Sequence, residues 1–212
     1  MADWVTISSL ATAGGTLVLA AATFASVRSA NRAARTAEWA LQVGLRPLLV
    51  PSRLEDPLIK VLWVDGHYSR LEGGRAAVEV KDGVIYLAVS LRNVGSGMAV
   101  LHGWHPMPER VHGDAPHADP ARFRTLTRDL YVPPGDIGFW QGAFRNPAEP
   151  GYDEMCEAIQ THRQLTVELL YGDHEGGQRM VSRFALTSPS GDGTTWLASV
   201  GRHWNLDRPD PR

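Results

Sequence analysis

The sequence predicts a mainly β protein carried on an N-terminal membrane-spanning helix, and three observations carry that expectation. Residues 4–27 (WVTISSLATAGGTLVLAAATFASV) contain no Asp, Glu, Lys, Arg, His, Asn, Gln or Pro. After Pro47 the apolar periodicity changes from helical to alternating, the spacing of half-buried strands. Gly and Pro, 21 and 14 of the 212 residues, together about a sixth of the chain, mark a turn-rich rather than a disordered sequence.

As a helix at ~1.5 Å per residue, residues 4–27 span about 36 Å, against ~30 Å for a hydrocarbon core. The large apolar positions are Trp4, Val5, Ile7, Leu10, Leu17, Val18, Leu19, Phe24 and Val27, set among Ala, Gly, Ser and Thr. Ser and Thr are tolerable in lipid because their hydroxyls bond back to the i−4 carbonyl. Ala11 with Gly15, Thr12 with Thr16, and Ala21 with Ala25 form small-xxx-small pairs. Such pairs let a second helix approach, so a homodimer or a membrane-protein partner through the anchor is one expectation. An Ala-rich anchor with no partner explains the same residues.

The flanks set orientation. Only Asp3 and the amino terminus precede the helix, whereas Arg28, Arg32 and Arg35 follow it. The positive-inside rule predicts a plasma-membrane (inner-membrane) protein with its N-terminus outside and its C-terminal domain in the cytoplasm. A cleaved signal peptide is the competing reading. Against it stand an n-region without Lys or Arg and a basic run directly after the apolar core. The three arginines lie at i, i+4 and i+7, one helical face, where they are expected to contact lipid headgroups. A solvated stop-transfer flank is the plainer alternative. Gly44, with Pro47 three residues on, predicts the end of the basic helical extension. The expected organisation is therefore 1–45 anchor and juxtamembrane helix, 46–206 β-sandwich domain and 207–212 disordered tail.

The charge balance, −2 overall, excludes a nucleic-acid binder by charge. The single cysteine, Cys156, excludes an internal disulfide and a four-thiolate zinc site, and suits a reducing compartment.

The β region reads in order as follows. Strands are predicted at 48–50, 61–64, 76–80 and 84–94, the last two joined as a hairpin by Lys81-Asp82-Gly83. Gly95-Ser96-Gly97 is a break, followed by a strand over 98–104 and a Pro-, His- and Asp-rich loop over 105–120. Strands at 124–132 and 137–144 flank the turn Pro133-Pro134-Gly135-Asp136. A short helix is expected over 152–162, with Met155, Ile159 and Cys156 inward. Strands at 164–171 and 178–186 flank a Gly- and Asp-rich turn, and a last strand falls at 194–201. About seven to nine short strands with Gly/Pro turns point to a β-sandwich of immunoglobulin-like type, without the Cys–Trp–Cys core of antibody domains.

Several stretches together support a resemblance. They are the anchor, Arg46-Pro47 before a strand, the run Leu91-Arg92-Asn93-Val94-Gly95-Ser96-Gly97-Met98-Ala99, Leu130-Tyr131-Val132-Pro133-Pro134-Gly135-Asp136, and Tyr171-Gly172-Asp173-His174-Glu175-Gly176. The chain resembles uncharacterised bacterial, often actinobacterial, single-pass membrane proteins that carry an Ig-like sandwich. Its Asn-x-Gly-x-Gly-x-Ala pattern is similar to that of bacterial Ig-like adhesion modules, with Met98 where Pro is usual. The resemblance implies an anchor and a fold, and brings no catalytic residue. Physically, the glycine pair is expected to bulge or turn with φ > 0, and Asn93 to bond nearby backbone.

Two clusters carry possible chemistry. His102, His105, His112 and His117, interleaved with Asp114 and Asp119, are of the type that ligates Zn, Ni or Fe. In a loose loop the ordering entropy opposes such a site. Asp173-His174-Glu175 sits at a hairpin tip, with no identifiable nucleophile or oxyanion hole beside it. Ser96 is not in a Gly-x-Ser-x-Gly elbow, and no Walker or Rossmann fingerprint is present. The expectation is thus a non-catalytic, membrane-anchored protein presenting a cytoplasmic β-sandwich for protein interaction or scaffolding. It needs no cofactor or metal, and its partners are the lipid bilayer and a membrane protein or second copy. The alternatives are a metal-binding or hydrolytic domain using the histidine loop, and an exported envelope-binding domain.

Overall fold

The computed structural model describes residues 3–191 and 193–208, and the chain divides into two compact units between Gly44 and Leu45. The first unit is one continuous helix, α1 (Trp4–Gly44, 41 residues). It ends at the glycine, which frees the chain to leave the helix before Pro47. Thr12, Thr16, Thr23 and Thr36 donate their hydroxyls to the carbonyls of Ser8, Thr12, Leu19 and Arg32 at 2.8–3.0 Å, so the polar groups are satisfied within the helix. Over Ser8–Leu41 it is long and apolar enough to cross a membrane.

The second unit is β. Its strands are β1 (Leu49–Pro51), β2 (Ile59–Leu62), β3 (Tyr68–Leu71), β4 (Arg75–Lys81), β5 (Val84–Asn93), β6 (Ala99–Met107), β7 (Arg124–Val132), β8 (Ile137–Phe144), β9 (Leu165–Gly172), β10 (Arg179–Thr187) and β11 (Trp196–Asn205). A short helix, α2 (Tyr152–Gln160), follows β8. Nine strands form one curled antiparallel sheet in the order β1-β5-β4-β11-β10-β9-β6-β7, with β8 on the other side of β5. β2 and β3 form a separate hairpin. The curl hinges on a short pairing, Ala76 with Trp196 and Arg75 with Leu197, that joins β4 to β11.

β5 is the central strand, and its sequence says why. Ile85, Leu87, Val89 and Leu91 enter the main core with Trp140, Phe144, Val167 and Phe184. Tyr86 and Ala88 point the other way into a second core with Val61, Trp63 and Leu71, beneath the β2–β3 hairpin. A strand covered on both faces has no polar side to display, hence the near-continuous apolar run VIYLAVSL. The predicted β4–β5 hairpin is present, with Asp82 (φ 51°) and Gly83 (φ 75°) both left-handed, the two-residue type I′ geometry that Asp-Gly favours.

The Asn93-to-Ala99 motif is a socket for the segment entering the domain. Buried Asn93 accepts from the Leu48 and Gly95 amides at 3.1 and 3.0 Å and donates to the Gly97 and Val132 carbonyls at 2.7 and 2.9 Å. The glycine pair differs from the expectation of positive φ. A Cβ on Gly95 would stand 2.4 Å from the Arg46 carbonyl oxygen, and one on Gly97 1.7 Å from that of Leu45. The glycines are there because two backbones touch, the other common reason for glycine.

Four further expectations are corrected. β3 was not predicted, because Tyr-Ser-Arg-Leu is short and polar on its outward side; with it and β2 the domain has eleven strands. The strand expected at 61–64 lies at Ile59–Leu62, with Trp63 just beyond it in the second core. β6 runs on through His105 to Met107, so the histidine stretch begins on a strand. Asp207, expected in the disordered tail, is held by a two-oxygen ion pair with Arg179 at 2.7–3.2 Å; residues 209–212 lie outside the described residues.

Candidate functional site

On α1, Arg28, Arg32 and Arg35 share one exposed face with Phe24, Val27 and Asn31, a basic patch bordered by apolar side chains. Leu17, Leu19 and Phe24 are 73 %, 70 % and 68 % exposed, an arrangement that water does not favour for large apolar groups.

The histidine-rich stretch does not converge. Among the described residues no group of three His, Cys, Asp or Glu side chains is placed to hold a metal. His105 lies against Phe123, with ring centroids 5.8 Å apart, and His117 stands edge-on to Trp204. What holds this stretch is a buried ion pair. Arg183 donates twice to Glu168 Oε1 (2.8 and 2.6 Å) and also to the carbonyls of His112, Ala115 and Pro116 (2.7, 3.1 and 2.7 Å). Glu168 Oε2 accepts from the Ala118 amide at 2.8 Å. The loop is therefore tied to β9 and β10 rather than loose. Asp173 is likewise turned inward, where it accepts from the Gly177 amide, while His174 pairs with Glu175 on the surface. On α2, Met155 and Ile159 are inward as expected and Cys156 is half-buried.

The cavity-bearing region lies elsewhere, where the curled sheet fails to close. β7 is laddered only to β6 and β8 only to β5 among the described residues, so two strand edges face each other. Between Leu101 and Gly103 the β6–β7 register jumps from Leu130 to Thr125, and residues 126–129 leave the ladder. A bulge of this kind bends the strand and interrupts its pairing. Arg128 bridges the seam by donating to Gln141 Oε1 at 3.1 Å, and Trp63, from the β2–β3 hairpin, donates Nε1 to the Gly142 carbonyl on β8 at 3.3 Å.

Arg124, at the start of β7, lines both cavities of the seam. One, of about 250 Å³, lies towards Trp63, Gln141 and Gly142. The other, of about 490 Å³, lies between the end of β6, the start of β7 and the start of α2. The larger falls in the size range of small-molecule sites. Arg124 is fixed in orientation: its guanidinium lies 4.1 Å from the Phe144 ring centroid and 5.0 Å from that of Trp104, and it pairs with Glu149. Burial pushes its pKa below the usual arginine range. Its Nη1 is buried without a partner among the described residues, and so is Nε1 of Trp140, which packs against Trp104 at 5.3 Å. Arg122 and His105 share the larger cavity. Burial lowers the His105 pKa, partly offset by its hydrogen bond to the Arg122 backbone.

A second polar cluster, also missed from sequence, ties the β2–β3 hairpin to the sheet. His67 stacks on Tyr86 with centroids 4.0 Å apart and bonds Glu79 at 2.9 Å, and Glu79 also accepts from Ser69 at 2.5 Å. Glutamate sits between serine and histidine here, the wrong order for activating a nucleophile. Of all these residues, only Glu168 had a visible signal, an acid in the middle of the apolar strand LTVELLY. Compared with models of protein families and with curated proteins, the chain matches none.

Proposed function

We propose that this chain is a single-pass plasma-membrane protein that holds a non-catalytic β domain on the cytoplasmic side as a binding or scaffolding module. The carrying observation is α1, with large apolar side chains about 70 % exposed over a span long enough to cross a bilayer. Lipid is the environment that removes that cost. Arg28, Arg32 and Arg35 on the C-terminal side support the orientation through the positive-inside bias, and their common face suits anionic headgroups. The β domain supports a binding role through its satisfied structural polar groups and one open seam. The Ig-like resemblance of the sandwich belongs to the same reading.

Reporter fusions at the C-terminus, combined with protease access in intact cells, test it. The expected result is a membrane-bound, protease-protected C-terminus released only by detergent. An exported or freely soluble C-terminus overturns it.

A further inference from the structure

We infer that the seam cleft around Arg124 binds a small amphiphilic anion: a carboxylate or phosphate monoester on an apolar body. The inference gives a ligand class to the binding half of the reading above and does not depend on the anchor.

Four features carry it. First, Arg124 Nη1, on the one side chain that lines both cavities, is a buried donor without a partner among the described residues. A buried donor without an acceptor is costly, and the group that completes it is an acceptor. Second, the charge is positive. Arg122 is exposed at the cleft and makes no ion pair among the described residues, whereas Glu149 is already engaged by Arg124. Third, the remaining wall is apolar, with Pro106, Met107, Phe144 and Met155, so the head is recognised by charge and the body by burial. Fourth, the site is rigid. Arg124 is clamped over Phe144 and Trp104, and Gly142 leaves the room the two indoles need: a Cβ there would lie 2.8 Å from Trp140 and 2.9 Å from Trp104. A guanidinium held in one plane loses little entropy when it takes an anion.

The test is made on the full chain in phosphatidylcholine nanodiscs, with empty nanodiscs subtracted, by titrating octanoate, octyl phosphate, octanol and acetate while following tryptophan fluorescence. Octanoate and octyl phosphate are expected to bind at least tenfold more tightly than octanol or acetate. Arg122→Gln is expected to weaken octanoate at least threefold, and Met155→Trp, which fills the cleft without changing charge, at least tenfold. Arg124→Gln should abolish binding, and the two other variants keep the test valid if that one folds poorly. Octanol binding as well as octanoate, acetate binding as well as octanoate, or octanoate binding unaltered by both Arg122→Gln and Met155→Trp each overturns the inference. Mass spectrometry of the chain extracted from its own membrane distinguishes the source: a co-purified membrane acyl chain or a soluble organic acid supports it in either case. A membrane-bound chain that ignores octanoate retires the cleft and leaves the anchor standing. A soluble chain that binds octanoate does the reverse.

Discussion

Arg183 and Arg124 are the same construction finished and unfinished. Each pairs with a glutamate, and each lies over aromatic rings, Arg183 over Trp204 at 4.7 Å and Arg124 over Phe144 at 4.1 Å. Arg183 uses all five of its N–H donors, two on Glu168 and three on loop carbonyls, and its side chain is 3 % exposed. Arg124 is 29 % exposed, is shared between two cavities, and keeps Nη1 without a partner among the described residues. A fully satisfied buried charge holds structure, because any change leaves something unpaired. A partly satisfied one at a cavity wall is free to recognise a ligand.

The largest expected effect is on the finished pair. Glu168→Gln strands the Arg183 charge in the interior and should cost about 3–5 kcal/mol. Denaturant melts would report the loss, and limited proteolysis should cut the released 108–119 loop. Replacing both partners, with Glu168→Leu and Arg183→Met, should recover most of the stability and leave the loop cleavable. If the single variant melts like the parent, the pair is not a lock.

Asn93 belongs with Arg183 in this division, since its four bonds are all made. Asn93→Ala leaves the Leu48 and Gly95 amides and the Gly97 and Val132 carbonyls without their partner, a loss of about 3 kcal/mol by unfolding. Asn93→Asp should be no better, since it sets an acceptor against those two carbonyls. A harmless Asn93→Ala would show that water replaces the side chain and that the socket is held by backbone alone.

Arg124→Gln should sit at the other end, with a stability change below about 1 kcal/mol, because the pair with Glu149 is partly exposed and screened. A loss as large as that of Glu168→Gln would erase the distinction between the two arginines.

This division also marks what was legible beforehand. β5, β7 and β8, and the Asp82-Gly83 hairpin, follow from local rules: alternation, a two-sided apolar run, and a turn that needs positive φ at both residues. The long apolar helix α1 follows from composition. The lock and the cleft do not, because each joins residues far apart in the chain. Arg183 reaches carbonyls 67–71 residues away, and nothing around Arg124 in RTLTRDLYV announces Trp104, Phe144 or Glu149. The histidine stretch looks loose in sequence for the same reason: its tether is a pair of side chains on strands where charged residues ordinarily face water. Glycine was misread in a milder way. Positive φ and close approach leave the same mark in a sequence, and at Gly95 and Gly97 only the neighbouring backbone decides between them.

A third polar line is satisfied only while it is uncharged, which makes it the most delicate test of the rule. The Leu49 amide donates to Tyr171 Oη at 3.2 Å, Tyr171 bonds Ser182 Oγ at 2.7 Å, and Ser182 bonds His203 Nδ1 at 2.6 Å. The buried Tyr171 hydroxyl meets only a donor in the Leu49 amide, so pairing its own proton puts that proton on Ser182, and pairing the Ser182 proton then makes Nδ1 the acceptor. His203 is therefore neutral here, with its proton on Nε2. Burial, and secondarily the Arg46 charge, lower its pKa accordingly. The unfolded chain binds this proton near pH 6.5 and the folded chain only at lower pH. The stability supplied by neutral His203 is thus complete above about pH 6.5 and drains away as pH falls from there towards the folded value, at most about 1.4 kcal/mol per pH unit. His203→Asn keeps an acceptor beside Ser182 and does not titrate. Since His102 and His105 are also lowered and add their own slopes, the diagnostic is the difference: below pH 6.5 the parent should lose stability faster than His203→Asn. Parallel curves would mean that the relay tolerates a charged imidazole, and that the first strand is held without it.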